Sequence, residues 1–233
     1  MANETTVVLV LTNDDGVDAP GIAALHDAAK NKGRRHVVAP AGPYSGCGHR
    51  VTTHEPIFIQ NRGEDVHVIE GTPADCVRLA VHHLEPNPGW ILSGINAGGN
   101  LGVDVYHSGT VAAVREGAIH GLPGIAISHY IARGRAIDWT RARNWAARIL
   151  DQLMKEPIVP GTFWNVNFPH LLPEAPEPEI IFCELDPSPL PLGFRLEGNG
   201  ATYCGDYHSR ARRASGDVEI CLSGQIAVSL LRI

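Results

Sequence analysis

A few short segments carry the residues whose types and spacing can do chemistry. Asn13-Asp14-Asp15-Gly16 sets two carboxylates side by side, Tyr44-Ser45-Gly46 offers a hydroxyl, and Ser93-Gly94-Ile95-Asn96 offers an amide oxygen. Brought together, these make an all-oxygen donor set, which suits a hard divalent ion such as Mg²⁺ or Mn²⁺ and not zinc. Taken alone, Asn-Asp-Asp-Gly is also a plain turn, because each of its residues favours turns. Adjacent carboxylates repel, however, and at a buried strand end that cost falls only beside a cation or a donor. A second element is Gly98-Gly99-Asn100-Leu101-Gly102 followed by Ser108-Gly109-Thr110. Glycines let backbone amides approach an anion, and a helix start offers unpaired N–H groups, so phosphate is the natural guest. A simple helix cap at Ser108 is the plainer alternative.

The surrounding residues spell the elements that must position these groups. Val7-Val8-Leu9-Val10-Leu11 is a continuous apolar run, as in a strand buried on both faces of a parallel sheet. Pro20 opens a helical stretch with Ile22, Leu25, Ala28 and Ala29, Gly33 ends it, and His36 to Ala39 is the next strand. That is a βαβ unit. Residues 51–69 read as a β-ribbon, and Thr72-Pro73-Ala74-Asp75 as a capped helix start. Trp90 to Leu92 is a strand, 94–107 a Gly/Asn-rich loop, and Ser108 opens a helix with Val111, Val114 and Ala118 on one face. A strand at 123–127 and a helix from Trp139 to Met154 follow. After about residue 170, prolines punctuate short strand candidates at 180–182, 218–221 and 226–231. The fold expected is α/β, a Rossmann-like, mostly parallel sheet with helices on both faces and a β-rich C-terminal appendage. Residues 1–170 would be the core and 171–233 an oligomerisation segment. Each loop that bears chemistry follows a predicted parallel strand, where open α/β sheets bind ligands.

The whole chain narrows the class. It has 233 residues, 44% apolar, with a net charge of −6. This argues against a nucleic-acid groove as the main business. No apolar run reaches the roughly 18 residues of a spanning helix. The first four residues, Met1, Ala2, Asn3 and Glu4, lack an export signal, so a cytoplasmic location is expected. Five cysteines without Cys-x-x-Cys, and twelve histidines without His-Glu-x-x-His, support neither a disulfide scaffold nor a zinc site.

The ordered series of motifs resembles the SurE family of metal-dependent 5′/3′-nucleotidases. The resemblance runs through Thr12-Asn13-Asp14-Asp15-Gly16 and Ala19-Pro20-Gly21-Ile22, Ser45-Gly46, Gly71-Thr72-Pro73-Ala74-Asp75, Ser93-Gly94-Ile95-Asn96-Ala97-Gly98, Asn100-Leu101-Gly102, and Ser108-Gly109-Thr110-Val111-Ala112-Ala113 with Glu116-Gly117. It is dense over about residues 7–130 and returns at 165–169 and in the last strand. Gly42-Pro43-Tyr44 stands where the family usually carries charged residues before the serine, and residues 187–216 are shorter than usual.

The resemblance implies one divalent ion per subunit on Asp14, Asp15, Ser45 and Asn96. It implies a phosphate pocket that includes Asn100, Ser108, Gly109 and Thr110, with Asn13 beside it. It also implies nucleoside monophosphate substrates and a homodimer or tetramer. Asp14 and Asp15 are the candidate catalytic residues. Either a metal-activated water or one of these carboxylates would attack phosphorus. The rival reading is a nucleotide-binding, regulatory homologue without activity. Neither a membrane nor a nucleic-acid polymer is expected as a partner.

Overall fold

A computed structural model describes residues 6–85 and 87–233; the reading of Met1 to Glu4 falls outside them. The elements in chain order are β1 (Val8–Thr12), α1 (Pro20–Ala28), β2 (Arg34–Pro40), β3 (Ile59–Asn61), β4 (Val66–Ile69), α2 (Pro73–Leu79), β5 (Trp90–Ala97), α3 (Gly109–Ile119), β6 (Gly124–His129), α4 (Trp139–Leu153), β7 (Thr162–Phe168), β8 (Ile180–Phe182), β9 (Phe194–Glu197), β10 (Gly200–Tyr203), α5 (Asp217–Leu222) and β11 (Ile226–Arg232).

Nine strands form one sheet in the order β3-β4-β2-β1-β5-β6-β7-β11-β8. The six from β4 to β7 are mutually parallel. Their alternate side chains feed two cores. Leu9, Leu11, Ile125 and Ile127 pack with α1 and α4, while Val10, Ile91 and Ala126 pack with α2 and α3. The chain proceeds outward from β1 through β2 to β4, then returns to the other side of β1 with β5. The carboxyl ends of β1 and β5 therefore flank the point where the winding direction reverses, the usual crevice of an open α/β sheet. Among the described residues no helix is long and apolar enough to cross a membrane.

Several expectations are corrected. Residues 94–97 continue β5 and do not begin the loop. A register shift against β6 between Ser93 and Asn96 keeps the strand paired while re-aiming its end. Of the ribbon read at 51–69, only Ile59–Asn61 and Val66–Ile69 are strands; they pair antiparallel, with β4 joining β2 and β3 forming the sheet edge. The candidate strand at 218–221 is part of helix α5. A short apolar run does not discriminate helix from strand. Here Asp217 decides, because its carboxylate accepts N–H bonds from Gly102 at 2.7 Å and Asp186 at 2.8 Å.

Three strands, β7, β9 and β10, have no counterpart in the sequence reading. Strand β7 carries Asn165 and Asn167 at buried positions, and both donate to the carbonyl of Asn100, at 2.9 and 3.0 Å. Buried amides break the apolar signature of a central strand, and their hydrogen-bond partner is the distant Asn100. Strands β9 and β10 form a hairpin outside the main sheet, with all eight residues exposed. By contrast β8 and β11 extend the main sheet beyond β7.

Candidate active site

The loop after β1 is shaped by Asn13. Its amide nitrogen donates to the carbonyl of Gly16 at 2.8 Å, and its amide oxygen accepts from the Gly16 N–H at 3.2 Å. With both ends of the amide engaged, Asn13 serves the turn. It does not line the cleft expected to hold substrate. The turn aims Asp14 and Asp15 over the sheet end. Asp14 is 4% exposed. Its Oδ1 accepts the Thr110 hydroxyl at 2.5 Å, and its carbonyl accepts the Tyr44 N–H at 2.7 Å. The second bond draws the Ser45 loop onto the site. Asp15 is pinned differently, its Oδ2 accepting the Ala97 N–H at 3.1 Å.

Helix α3 closes the other wall. Ser108 is its cap, with Oγ accepting from the Val111 N–H at 3.1 Å. Gly109 is required by closeness, because a Cβ there would come within 2.9 Å of the Asp14 Cβ and 3.1 Å of the Cys47 Sγ. The first turn of α3 thus packs against the acidic loop, its unpaired amides and positive dipole end facing that side.

The structure brings Asp14, Asp15, Ser45, Asn96, Asn100 and Ser108 to the lining of one cleft of about 290 Å³. Gly109 and Thr110 lie directly behind it. Thr110 donates its hydroxyl to Asp14 and so orients that carboxylate. Asn100 lines the cleft but is held from below, donating from its backbone to Asn167 Oδ1 and from Nδ2 to Ser128 Oγ, both at 2.7 Å. Asp104, His107 and Leu190 also line the cleft and were not singled out from the sequence. The position of His107 next to the Ser108 cap was the available signal. Asp104 is recruited by distant residues, receiving Tyr207 Oη at 2.6 Å and Arg210 Nη1 at 2.9 Å.

A divalent ion fits this donor set. Burial, with a further push from the Asp15 charge, raises the Asp14 pKa above its ordinary value, against the pull of Thr110. A cation beside the pair would reverse that balance. The Asn96 Nδ2 donates to the Gly98 carbonyl at 2.8 Å, which turns its Oδ1 the other way as a candidate donor. Among the described residues there is no cluster of three or more His, Cys, Asp or Glu able to hold a metal. The candidate donors on the cleft are two carboxylates, a hydroxyl and an amide, a set whose chemistry suits a hard ion.

Comparison with known proteins identifies relatives of the whole chain. A family model described as survival protein SurE matches residues 9–186. A protein of Nostoc sp., provisionally named a 5′-nucleotidase, is 49% identical over 227 residues, spanning 97% of this chain and 100% of its own. A protein of Methylobacterium sp. named 5′-nucleotidase SurE is 36% identical over 235 residues, covering 97% and 93% of the two chains. The crystal structure of the SurE protein from Aquifex aeolicus superposes with a TM-score of 0.83 at 33% identity, over 97% of this chain and 93% of that one. With the ordered motifs, the switch-point cleft and these matches in agreement, the chain belongs to the SurE family.

Proposed function

We propose that this protein is a phosphomonoester hydrolase that removes phosphate from nucleoside monophosphates, a 5′/3′-nucleotidase using one Mg²⁺ or Mn²⁺ per subunit. The observation that carries the reading is the convergence of Asp14, Asp15, Ser45 and Asn96 with the start of α3 on one cleft. These four residues would hold the ion. When bound, it would polarise a phosphate oxygen and acidify a water. The protein's own part is placement. Thr110 orients Asp14, and the Ala97 N–H orients Asp15. The Gly109 amide and the Ser108 side would bind and orient the remaining phosphate oxygens and stabilise charge that builds up on them in the transition state. Asn100, locked by Asn167 and Ser128, would hold the opposite rim. The inactive-homologue reading is disfavoured because relatives that match nearly the whole chain are named 5′-nucleotidases and all four candidate donors line the cleft. Water attack and carboxylate attack are separated by acid quench during turnover, since only the second leaves labelled phosphate on the protein.

The deciding experiment is a phosphate-release screen over nucleoside monophosphates with Mg²⁺, with Mn²⁺ and with chelator. Metal-dependent release from at least one nucleotide is expected. Tight nucleotide binding with no release would overturn the reading.

The same reading includes a homodimer formed through the 171–233 segment. Its support is the β9–β10 hairpin, where Leu196 is 75% and Phe194 58% exposed, next to Leu192 at 85%. A lone two-stranded hairpin with both faces open is marginal in water, and a second copy would cover it. A cytoplasmic location is also part of the reading, supported by five cysteines that are all unpaired.

A further inference from the structure

One residue of the Asp14 cleft has no part in the phosphate chemistry. Leu190 carries the only large aliphatic side chain of the lining; the other lining residues are polar or no larger than alanine. Leu190 is half-buried, yet among the described residues it joins none of the hydrophobic cores. A half-buried leucine on a polar cleft, outside every core, offers apolar area that a ligand can cover.

The backbone that presents Leu190 is stiff. Residues 187–192 read Pro-Ser-Pro-Leu-Pro-Leu. Each proline fixes its own φ and biases the residue before it, Leu190 included, towards extended backbone. Hydrogen bonds bracket the leucine. The Ser188 N–H donates to Asp186 Oδ1 at 2.8 Å, and the Tyr203 hydroxyl donates to the Pro191 carbonyl at 2.6 Å.

This stretch is also anchored beside the cleft. The Asp217 carboxylate accepts the N–H groups of Asp186 at 2.8 Å and Gly102 at 2.7 Å, which ties the approach to Leu190 to the loop after β5. The two backbones come close: a Cβ on Gly102, whose φ is +55°, would lie 2.5 Å from the Asp186 carbonyl oxygen. From the same part of the chain, Arg210 and Tyr207 hold Asp104 of the lining at 2.9 and 2.6 Å. A wall fixed in this way binds a ligand at little ordering cost.

The nucleotidase reading leaves such a wall a use. The metal donors and the start of α3 take the phosphate, and what remains of the substrate is a nucleoside, whose base has an apolar face. An aliphatic side chain covers that face without contacting the hydrogen-bonding edge. It therefore favours nucleotides over phosphomonoesters that lack a base, without selecting one base. We propose that Leu190 is a specificity-determining residue against which the base of the nucleotide packs. The inference rests on the nucleotidase reading and deepens it, because it gives the 171–233 segment a part in substrate choice besides the pairing proposed for it.

The test compares Leu190→Ala, Leu190→Met and wild type in steady-state phosphate release. Each is assayed on a nucleoside monophosphate and on the corresponding ribose phosphate, which lacks the base, used as substrate or competitive inhibitor. Leu190→Ala should raise KM for the nucleotide about tenfold, the contact of one or two methylene groups. The kcat should stay unchanged, because such a contact is the same in ground and transition states. Affinity for ribose phosphate and inhibition by vanadate should not move, and Leu190→Met, of similar volume, should keep the wild-type KM. The inference is overturned if Leu190→Ala leaves the nucleotide KM unchanged, or if it weakens nucleotide and ribose phosphate equally. Those outcomes leave the nucleotidase reading standing. Absence of release from every nucleotide by wild type would overturn that reading, and the inference with it.

Discussion

At the scale of single residues the tension is concentrated at Asp14. Burial and Asp15 raise its pKa above the ordinary 3.8, so ionisation opposes folding of the metal-free protein. For an acid raised in this way, the opposition is absent below the unfolded-state pKa, grows as pH climbs towards the folded value, and is complete above it. An amide at this position keeps the oxygen that accepts from Thr110 but removes the charge. Metal-free Asp14→Asn should therefore be at least as stable as wild type at pH 7, with its advantage fading as pH falls through the ordinary carboxylate range. Mn²⁺ should raise the Tm of wild type and not of the variant, and chelation or the substitution should each abolish phosphate release. Thermal scans from pH 4 to 8, with and without Mn²⁺, check this; equal Mn²⁺ shifts in both proteins would contradict it. Thr110→Val removes the hydroxyl that orients Asp14. It should lower metal affinity or activity by about 10–100-fold, as loss of a ligand's supporting partner commonly does. Titration of activity against Mn²⁺ concentration reads this directly.

At the scale of elements, the start of α3 must touch the loop after β1, and Gly109 is what lets it. Gly109→Ala puts a methyl group 2.9 Å from the Asp14 Cβ, where only the backbone can yield. Overpacking of this kind costs about 1–3 kcal/mol. Because the strain falls between the acidic loop and the helix amides, inhibition by vanadate and phosphate should weaken along with stability. Ser108→Ala is the contrasting case. It removes a cap worth about 1 kcal/mol and leaves the packing intact. Urea denaturation and vanadate inhibition of the two variants separate the effects. A vanadate response unchanged in Gly109→Ala would show that the helix start is not the anion side.

At the scale of the whole molecule, the C-terminal segment reaches back to the cleft through one buried charge. The Arg210 side chain is fully buried and meets Asp104, which also receives Tyr207. Removing one partner of a buried pair strands the other charge, at a cost of about 3–5 kcal/mol. Arg210→Ala should therefore be far more damaging in urea denaturation than Arg195→Ala. The Arg195–Glu197 pair in the hairpin is about two-thirds exposed on both sides, and exposed pairs are worth about 0–1 kcal/mol. The hairpin's own contribution should appear in mass instead. Light scattering at micromolar concentration should give a dimer, and Leu196→Asp should give a monomer whose fold is intact.

The amino-acid sequence determined the elements whose signals are local. Thr72 caps α2 through Asp75, Ser108 caps α3, Pro20 opens α1, and the unbroken apolar run at 7–11 is the buried central strand. It also contained, in order, Asp14, Asp15, Ser45, Asn96, Asn100 and Ser108, six residues of the cleft lining, each near the end of a strand or the start of a helix that its neighbours specify. Tertiary structure decided what depends on distant partners. The side chains of Asn13 and Thr110 are engaged by Gly16 and Asp14. Strand β7 was hidden because its buried asparagines bond to Asn100, 65 and 67 positions away. Helix α5 passed for a strand because the bonds that hold Asp217 come from Gly102 and Asp186. Asp104 entered the cleft rim through Tyr207 and Arg210, more than 100 positions along the chain. A buried polar group is stable only with its partner, and no local pattern of hydropathy records where in the chain that partner lies.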